Sequence, residues 1–538
     1  MVTDAPVTDA PVTDGRLLDA LRSDLGAAHF VVDALEGVLG SVAAAALNRE
    51  QVVPALRATQ GSTDPVATLL RLFILGAPVE RGALDRALPR VGTGGAERLA
   101  LVEAGGSAAD DRVRPLVDLR PYAAVDGAGE VEWWLASDLG EVATGAPLRQ
   151  DHVLGVGGAS TTLAQVTIRS PRRRALDLGT GCGVQALHAA RHTTSVVATD
   201  TSARALAFAR FNATLAGIDL DLRRGSMFDP VRQAAGGHDY LFDLIVSNPP
   251  FVITPRGGSG GTGGTGGTAG TGGAAVPVYE YRDGGRAGDD LVRDLILEVG
   301  TFLEPGGVAQ LLGNWEHRRG EGWVDRVGAW LDASALDGWV VQREVLDPAE
   351  YAEMWLRDGG TTPARDLVGW AARYGAWLDD FASRDVEAVG LGMVVLRRPV
   401  QGEASLRRVE DRGAPVHQPL GPYLEAGLRA HDWLREQGAR GLGDARLQVA
   451  ADVTEERHLV PGAEDPSVVL LRQGGGFGRV VQAGTALAGL VGACDGELSV
   501  AQVIGALATL LEVPAEALRD ELLPQVADLV RDGFLVAG

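Results

Sequence analysis

The sequence predicts an α/β domain built on a doubly wound, Rossmann-like sheet and set between two smaller helical modules. Three observations predict it. The run Arg174-Ala-Leu-Asp-Leu178 breaks into Gly179-Thr-Gly-Cys-Gly183 and then into a helix beginning near Val184. A second apolar run, Ser195-Val-Val-Ala-Thr199, ends in Asp200, 17 residues beyond Gly183. A third, Ile245-Val-Ser247, runs into Asn248-Pro-Pro-Phe251, with Asn248 65 residues downstream of the loop. Ligand sites in doubly wound sheets form at the carboxyl ends of the strands, so the three segments are expected to converge.

Each segment has a chemical reading. The glycine loop lets backbone approach a ligand closely. Its Gly-x-Gly-x-Gly rhythm differs from the Gly-x-Gly-x-x-Gly of dinucleotide sites, which argues against a dehydrogenase. Asp200 stands where a second strand presents a carboxylate to a ribose diol. The Asn248-Pro-Pro-Phe251 turn suits a flat amino group awaiting alkylation. An amide or exocyclic amine has a delocalised lone pair and attacks an electrophilic methyl poorly unless acceptors draw on its N–H bonds. Asn248 offers its side-chain oxygen and Pro249 its carbonyl. Consecutive prolines fix the turn without adding N–H groups, and Phe251 supplies a ring for stacking.

Four segments carry a resemblance: Asp177-Leu-Gly-Thr-Gly-Cys-Gly183, Thr199 to Arg210 with Asn212, Phe242 to Pro255, and Tyr281 to Leu291. Together they resemble the class I S-adenosylmethionine-dependent methyltransferases, and within them the HemK/PrmC-type glutamine methyltransferases and their small-domain relatives. The resemblance implies a seven-stranded sheet and S-adenosylmethionine as cofactor. It implies that Asp177, Gly179, Thr180, Gly181 and Gly183 surround the methionine part, that Asp200 with Thr201 holds the ribose, and that Asn248, Pro249, Pro250 and Phe251 hold the acceptor. Ser226 and Met227 carry over as adenine neighbours, with Ser226 in place of the family's acidic residue. Phe251 replaces the tyrosine commonest in glutamine modifiers, and phenylalanine there is frequent in relatives that methylate ribosomal RNA guanine. Asp151 to Thr162 departs from the family's Pro-x-x-Thr/Glu pattern but suits a lid over the cofactor.

Composition narrows the function. All basic residues are arginine, and with 49 of them against 71 acidic residues the net charge is −22, which opposes docking on a phosphate backbone. Arg169-Ser-Pro-Arg-Arg-Arg174 is the best local basic patch, yet it leads into the first strand and so lies away from the ligand end. No unbroken apolar run is long enough for a membrane span, and no basic segment precedes an apolar run at Met1. Two cysteines, Cys182 and Cys494, have no companions at metal spacing, so no metal is expected and a reducing cytoplasm fits.

The flanks divide the chain. Residues 1–15 repeat Val-Thr-Asp-Ala-Pro and are expected to be a flexible tail. Residues 16–130 carry helical spacing at Leu17, Leu21 and Leu25, at Val32, Leu35 and Leu39, and at Leu69, Leu72 and Leu75. Their helix-turn-helix rhythm over Ala67 to Leu88, with a strand between Val113 and Tyr122, predicts a winged-helix-like module. Its second helix is read as opening with acids and alanines, so presenting a substrate or packing is favoured over reading DNA. The central domain is expected over 131–400, interrupted by a Gly/Ser/Thr/Ala run at 257–273 that buries too little to order itself. Tyr279, Tyr281 and Arg282 follow at the expected rim of the pocket. Glu316 and His317 read as a solvated helix end, and most tryptophans from Trp315 to Trp377 as packing. Residues 401–538 predict a second winged-helix-like module: Ser499 to Ala508, a helix from Pro514 through Leu523, and a third from Val526 to Leu535.

These readings lead to an N-methyltransferase acting on a planar nitrogen, with a protein glutamine, as in a translation factor, favoured by the acidic charge. An RNA or DNA base is the alternative acceptor. A regulator that binds S-adenosylmethionine without reacting is the alternative of another class, and the intact Asn-Pro-Pro clamp argues against it.

Overall fold

Eight strands form the central sheet of the computed structural model, which describes residues 9–146, 148–232, 240–255, 279–462 and 464–537. They are β1 (Arg172–Leu178), β2 (Thr193–Asp200), β3 (Asp221–Arg224), β4 (Phe242–Ser247), β5 (Leu303–Arg318), β6 (Asp337–Leu346), β7 (Val386–Arg397) and β8 (Arg407–Asp411). Their order is β8-β6-β7-β5-β4-β1-β2-β3. Only β7 is reversed, pairing antiparallel with β5 and β6, while all other neighbours are parallel. Both faces of the middle strands are covered, which is why β1 and β4 read as continuous apolar runs.

The sheet has one strand more than the expected seven. Strand β8, Arg-Arg-Val-Glu-Asp, pairs with β6 at the sheet edge, and a charged edge strand gives no apolar run to read. It belongs to the same compact unit as the rest of the sheet, residues 1–164 with 170–411.

Within that unit the N-terminal segment shares its core with the sheet's helices. The helix Gly15–Ala27, capped by the Asp14 side chain, buries Leu18, Leu21 and Leu25. The strands Asp118–Asp126 and Gly129–Ser137 form an antiparallel hairpin that runs across the domain boundary expected at 130/131. These elements and Phe208, Phe211 and Leu215 of the helix Ala203–Ala216 lie in one apolar cluster. Asn212 ties the hairpin to the sheet's glycine loop: its oxygen accepts the Ala136 N–H at 2.7 Å, and its nitrogen donates to the carbonyls of Ala136 and Cys182. Residues 9–14 are docked, contrary to the expected tail, because Ala10 is buried and the Val12 N–H donates to the Leu99 carbonyl. A second cluster, including Phe242, Ile245, Leu295, Phe302 and Trp330, also packs on the sheet.

Glu316 and His317 lie near the end of strand β5 and not on a helix. Glu316 is fully buried and paired with Arg318 and Arg384, and His317 Nε2 stands 2.7 Å from Gln342 Oε1. Trp315, Trp330, Trp339 and Trp377 are buried, as packing requires. At the other end of the sheet Arg173 and Arg174 pair with Glu304.

The other compact unit is residues 165–169 with 412–538. It holds the helix Gly421–Asp444, two three-stranded sheets and the helices Thr485–Gly492, Val500–Leu510 and Ala515–Arg531. Ser499 and Gln502 form a capping box on the second of these. The two helices expected from Pro514 to Leu535 are one. Pro524 is accommodated because it and Asp520 are exposed, so the carbonyl it deprives of a partner meets water. Among the described residues no single helix is long and apolar enough to cross a membrane.

Candidate active site

The carboxyl ends of β1, β2 and β4 meet because the strands are adjacent and in register, with Leu178 opposite both Thr199 and Ser247. The Ser247 hydroxyl donates to the Leu178 carbonyl at 2.7 Å, and the N–H groups of Gly179 and Thr180 both donate to the Thr199 carbonyl. These bonds set the glycine loop, Asp200 and Asn248 around one cleft. Its empty volume is about 1050 Å³ including open solvent, and Gly179, Thr180, Gly181, Asp200, Thr201, Met227, Asn248, Pro249 and Pro250 line it.

The loop glycines have distinct tasks. Gly179 and Gly181 have φ of +74° and +56°, and a Cβ at either would point into open space, where a ligand can lie against bare backbone. Gly183, at φ +91°, does not line the cleft. A Cβ there would approach Ala209 at 3.1 Å, so it permits the helix Val184–Ala190 to pack closely on Ala203–Ala216.

Asp177 lies beneath the loop. Its Oδ2 accepts from the Thr180 hydroxyl at 2.6 Å and the Ala186 N–H at 2.9 Å, bracing the turn rather than facing the cleft. Burial pushes its carboxyl up to about 7 against those two hydrogen bonds. Cys182, also buried, is pushed up to about 11, which leaves its thiol protonated and unreactive at neutral pH.

Asp200 is presented differently. Its Oδ2 accepts the Gly181 N–H and its Oδ1 the Ser202 N–H, one bond to each oxygen. Each oxygen keeps a lone pair, and two acceptors on one carboxylate match a vicinal diol. Burial raises this carboxyl, while the backbone donors oppose the rise. Met227, in the left-handed region at φ +49°, borders the same end, whereas Ser226 does not line the cleft.

At the other end the Asn248 side-chain oxygen is buried and has no hydrogen-bond partner among the described residues. A buried orphan acceptor at the mouth of a cleft is an acceptor reserved for something that enters. The Pro249 carbonyl is less free than the sequence suggests. The Phe251 N–H donates to it at 2.7 Å, leaving one lone pair. Phe251 packs edge-on to Trp355, 6.5 Å between ring centroids, and does not line the cleft. The segment Tyr279 to Asp283 lies beside this turn: the Val252 N–H donates to the Arg282 carbonyl, and Phe251 bridges Asp283. Of it, Glu280 and Tyr281 reach the cleft. The 257–273 run lies outside the described residues.

Sequence reading misses the pair that shapes one wall. Asp138 and Arg204 are buried partners, and Asp138 also accepts the Val153 N–H at 2.7 Å. They thereby hold Asp151 to Gly155 along the cleft, within the stretch Asp151 to Thr162 expected to form a lid. No local motif marks two residues 66 positions apart; only the place of Arg204 within a segment of the resemblance gives a signal.

Residues 155–256 match the family described as the methyltransferase small domain. Residues 27–115 and 425–537 each match a domain of unknown function, DUF7059 and DUF7782. The chain is 35% identical over 145 residues to a release factor glutamine methyltransferase of Deinococcus radiodurans, covering 27% of this chain and 46% of that protein. It is 32% identical over 176 residues to a ribosomal protein uL3 glutamine methyltransferase of Burkholderia pseudomallei, covering 30% and 52%. To a ribosomal RNA small subunit methyltransferase C of Alcanivorax borkumensis it is 27% identical over 143 residues, covering 27% and 33%. It thus spans about half or less of the length of these curated relatives. Among solved structures, a T. thermophilus 16S rRNA N2 G1207 methyltransferase aligns at TM-score 0.24 and 18% identity, over 51% of this chain and 63% of that one. Residues 155–256, which hold the glycine loop, Asp200 and Asn248, thus carry a methyltransferase small domain, similar in sequence to the glutamine methyltransferases named above.

Proposed function

We propose that this chain is an S-adenosylmethionine-dependent N-methyltransferase whose acceptor is the side-chain amide of a protein glutamine. The observation that carries it is the buried oxygen of Asn248, unpartnered among the described residues, at one end of a cleft whose other end offers the two acceptors of Asp200. A site that only sensed the cofactor would gain nothing from leaving that oxygen without a partner.

The residues fit the cofactor. Asp200 would take the ribose hydroxyls, Gly179 and Gly181 would leave room along the backbone, and Met227 and Thr201 would border the nucleoside end. When bound, the cofactor supplies an electrophilic methyl on a sulfonium. The chain's own groups do the rest. Asn248 Oδ1 and the remaining lone pair of Pro249 would accept the two N–H bonds of the amide, turning its nitrogen toward the methyl and drawing electron density onto it. Asp177 and Thr180 would keep the loop in shape. The net charge of −22 favours a protein over a nucleic-acid acceptor, and the two buried free cysteines accord with a reducing cytoplasm.

Purified protein incubated with methyl-labelled S-adenosylmethionine and a cell lysate tests the reading. Label released by protease and retained through nuclease, recovered as methylglutamine on hydrolysis under amide-preserving conditions, is the expected result. Label released by nuclease would move the acceptor to a nucleic acid. Binding of the cofactor with no transfer to any fraction would favour the regulator.

A further inference from the structure

The ionisable lining of the cleft is one-sided. Asp151, Asp200 and Glu280 border it together with His152, and no arginine is among its described lining residues. Arg149 offsets Asp151, its guanidinium at 2.9 Å, and Arg204 offsets Asp138, which leaves Asp200 and Glu280 as the lining carboxylates with no ion pair among the described residues. Among the described lining residues, His152 is the one that can add positive charge near neutral pH.

Its surroundings fix where that charge would appear. His152 is 6% exposed, with Nδ1 3.7 Å from Asp138 Oδ2 and its ring steeply inclined to that of Tyr281, centroids 6.0 Å apart. Asp151, Arg204 and Asp358 are the other charged groups that act on it. Burial holds the imidazole below its ordinary value, so it is neutral at pH 7. Tyr281 belongs to the segment that pairs with Phe251 and Val252, so the side of His152 that meets Tyr281 lies toward the Asn248 turn, while Asp138 and Arg204 hold its other side. A transferable methyl has to face Asn248, so the sulfonium of a bound cofactor would belong to the same end.

We infer that His152 sets the charge at this end of the cleft and thereby determines how strongly S-adenosylmethionine is held over S-adenosylhomocysteine. The inference rests on the methyltransferase reading. The two molecules differ by one methyl and one positive charge, so acidic walls with a neutral imidazole favour the sulfonium, while an imidazolium repels it and leaves the thioether unaffected. Product then leaves readily at neutral pH and competes effectively in acid.

Calorimetry on the full chain, with each ligand between pH 5.5 and 8, tests this. The wild-type affinity ratio of S-adenosylmethionine to S-adenosylhomocysteine should fall progressively toward the acid end of that range, by up to about tenfold, the order expected for one nearby charge at intermediate dielectric. His152→Gln should keep the ratio constant. Titration of Asp200 affects the ribose of both ligands alike and largely cancels in the ratio. A wild-type ratio that stays flat overturns the inference even if His152→Gln fails to fold, and so does a variant that keeps the wild-type slope. If neither ligand binds at any pH, the methyltransferase reading falls and takes this one with it.

Discussion

Arg204 grips Asp138 through both terminal guanidinium nitrogens, joining the helix Ala203–Ala216 to the end of the N-terminal hairpin. The same carboxylate accepts the Val153 N–H, the Asp138 N–H donates to the Val153 carbonyl, and Arg204 reaches the carbonyl of Asp151. One buried pair therefore fixes both the interface and a wall of the cleft. Asp138→Asn leaves a buried guanidinium without its counter-charge, a loss of about 3–5 kcal/mol. Thermal unfolding should show a clear drop in Tm, with weaker cofactor binding at temperatures where the variant is folded. An unchanged Tm would show the pair to be dispensable.

Asp200→Ala removes two charge-assisted acceptors at the ribose end. Affinity for S-adenosylmethionine should weaken by about 2–3 kcal/mol, the scale of hydrogen bonds to a charged group. Because burial raises the Asp200 carboxyl, the wild type should also lose affinity as pH falls through its elevated pKa, and the loss should begin at higher pH than for an exposed aspartate. Calorimetry giving the same affinity for the variant would remove Asp200 from the site.

Asp177 ties the glycine loop to stability against pH. Its folded pKa of about 7 lies above the ordinary carboxyl value, so the folded state binds the proton more tightly than the unfolded one. That contribution is present at low pH, below the unfolded value, and is lost as pH rises through about 7. Asp177→Asn does not titrate. Its Tm relative to wild type should therefore rise between pH 5 and pH 8, while its amide oxygen still accepts the Ala186 N–H. A Tm difference independent of pH would mean that the wild-type carboxyl is ionised throughout.

What is legible in the sequence is local and chemical. Gly179 to Gly183, Asp200 and Asn248 each end an apolar strand, so their convergence follows from strand order alone. Glu316 reads as solvated because its neighbours in sequence are charged, yet its partners Arg384 and Arg318 enclose it on a strand. Pro524 reads as a helix break because exposure, which makes it tolerable, is a tertiary property. The hydrogen bond that partly occupies the Pro249 carbonyl depends on how tightly the turn closes, and residue types do not encode that.

Asn248 separates catalysis from binding. As the acceptor nitrogen gains positive charge its N–H bonds become more acidic, so an oxygen that accepts one of them binds more tightly in the transition state than in the ground state. The Asn248 oxygen is buried and, among the described residues, unpartnered, so it gives up none of their hydrogen bonds to do this. Pro249 cannot substitute for it, because its carbonyl accepts the Phe251 N–H and has one lone pair left, which the other N–H of the amide takes. Asn248→Ala should lower the turnover rate by about 100-fold or more, on the scale of losing one preorganised oxyanion-hole donor. Cofactor affinity should change little, because Asp200 and the glycine loop are untouched. Asn248→Asp keeps an acceptor but adds a charge, and should retain a fraction of the activity. Single-turnover kinetics on the identified acceptor, paired with calorimetry for the cofactor, measure both quantities. Wild-type turnover by Asn248→Ala would remove the clamp, and with it the assignment of this end of the cleft to the acceptor.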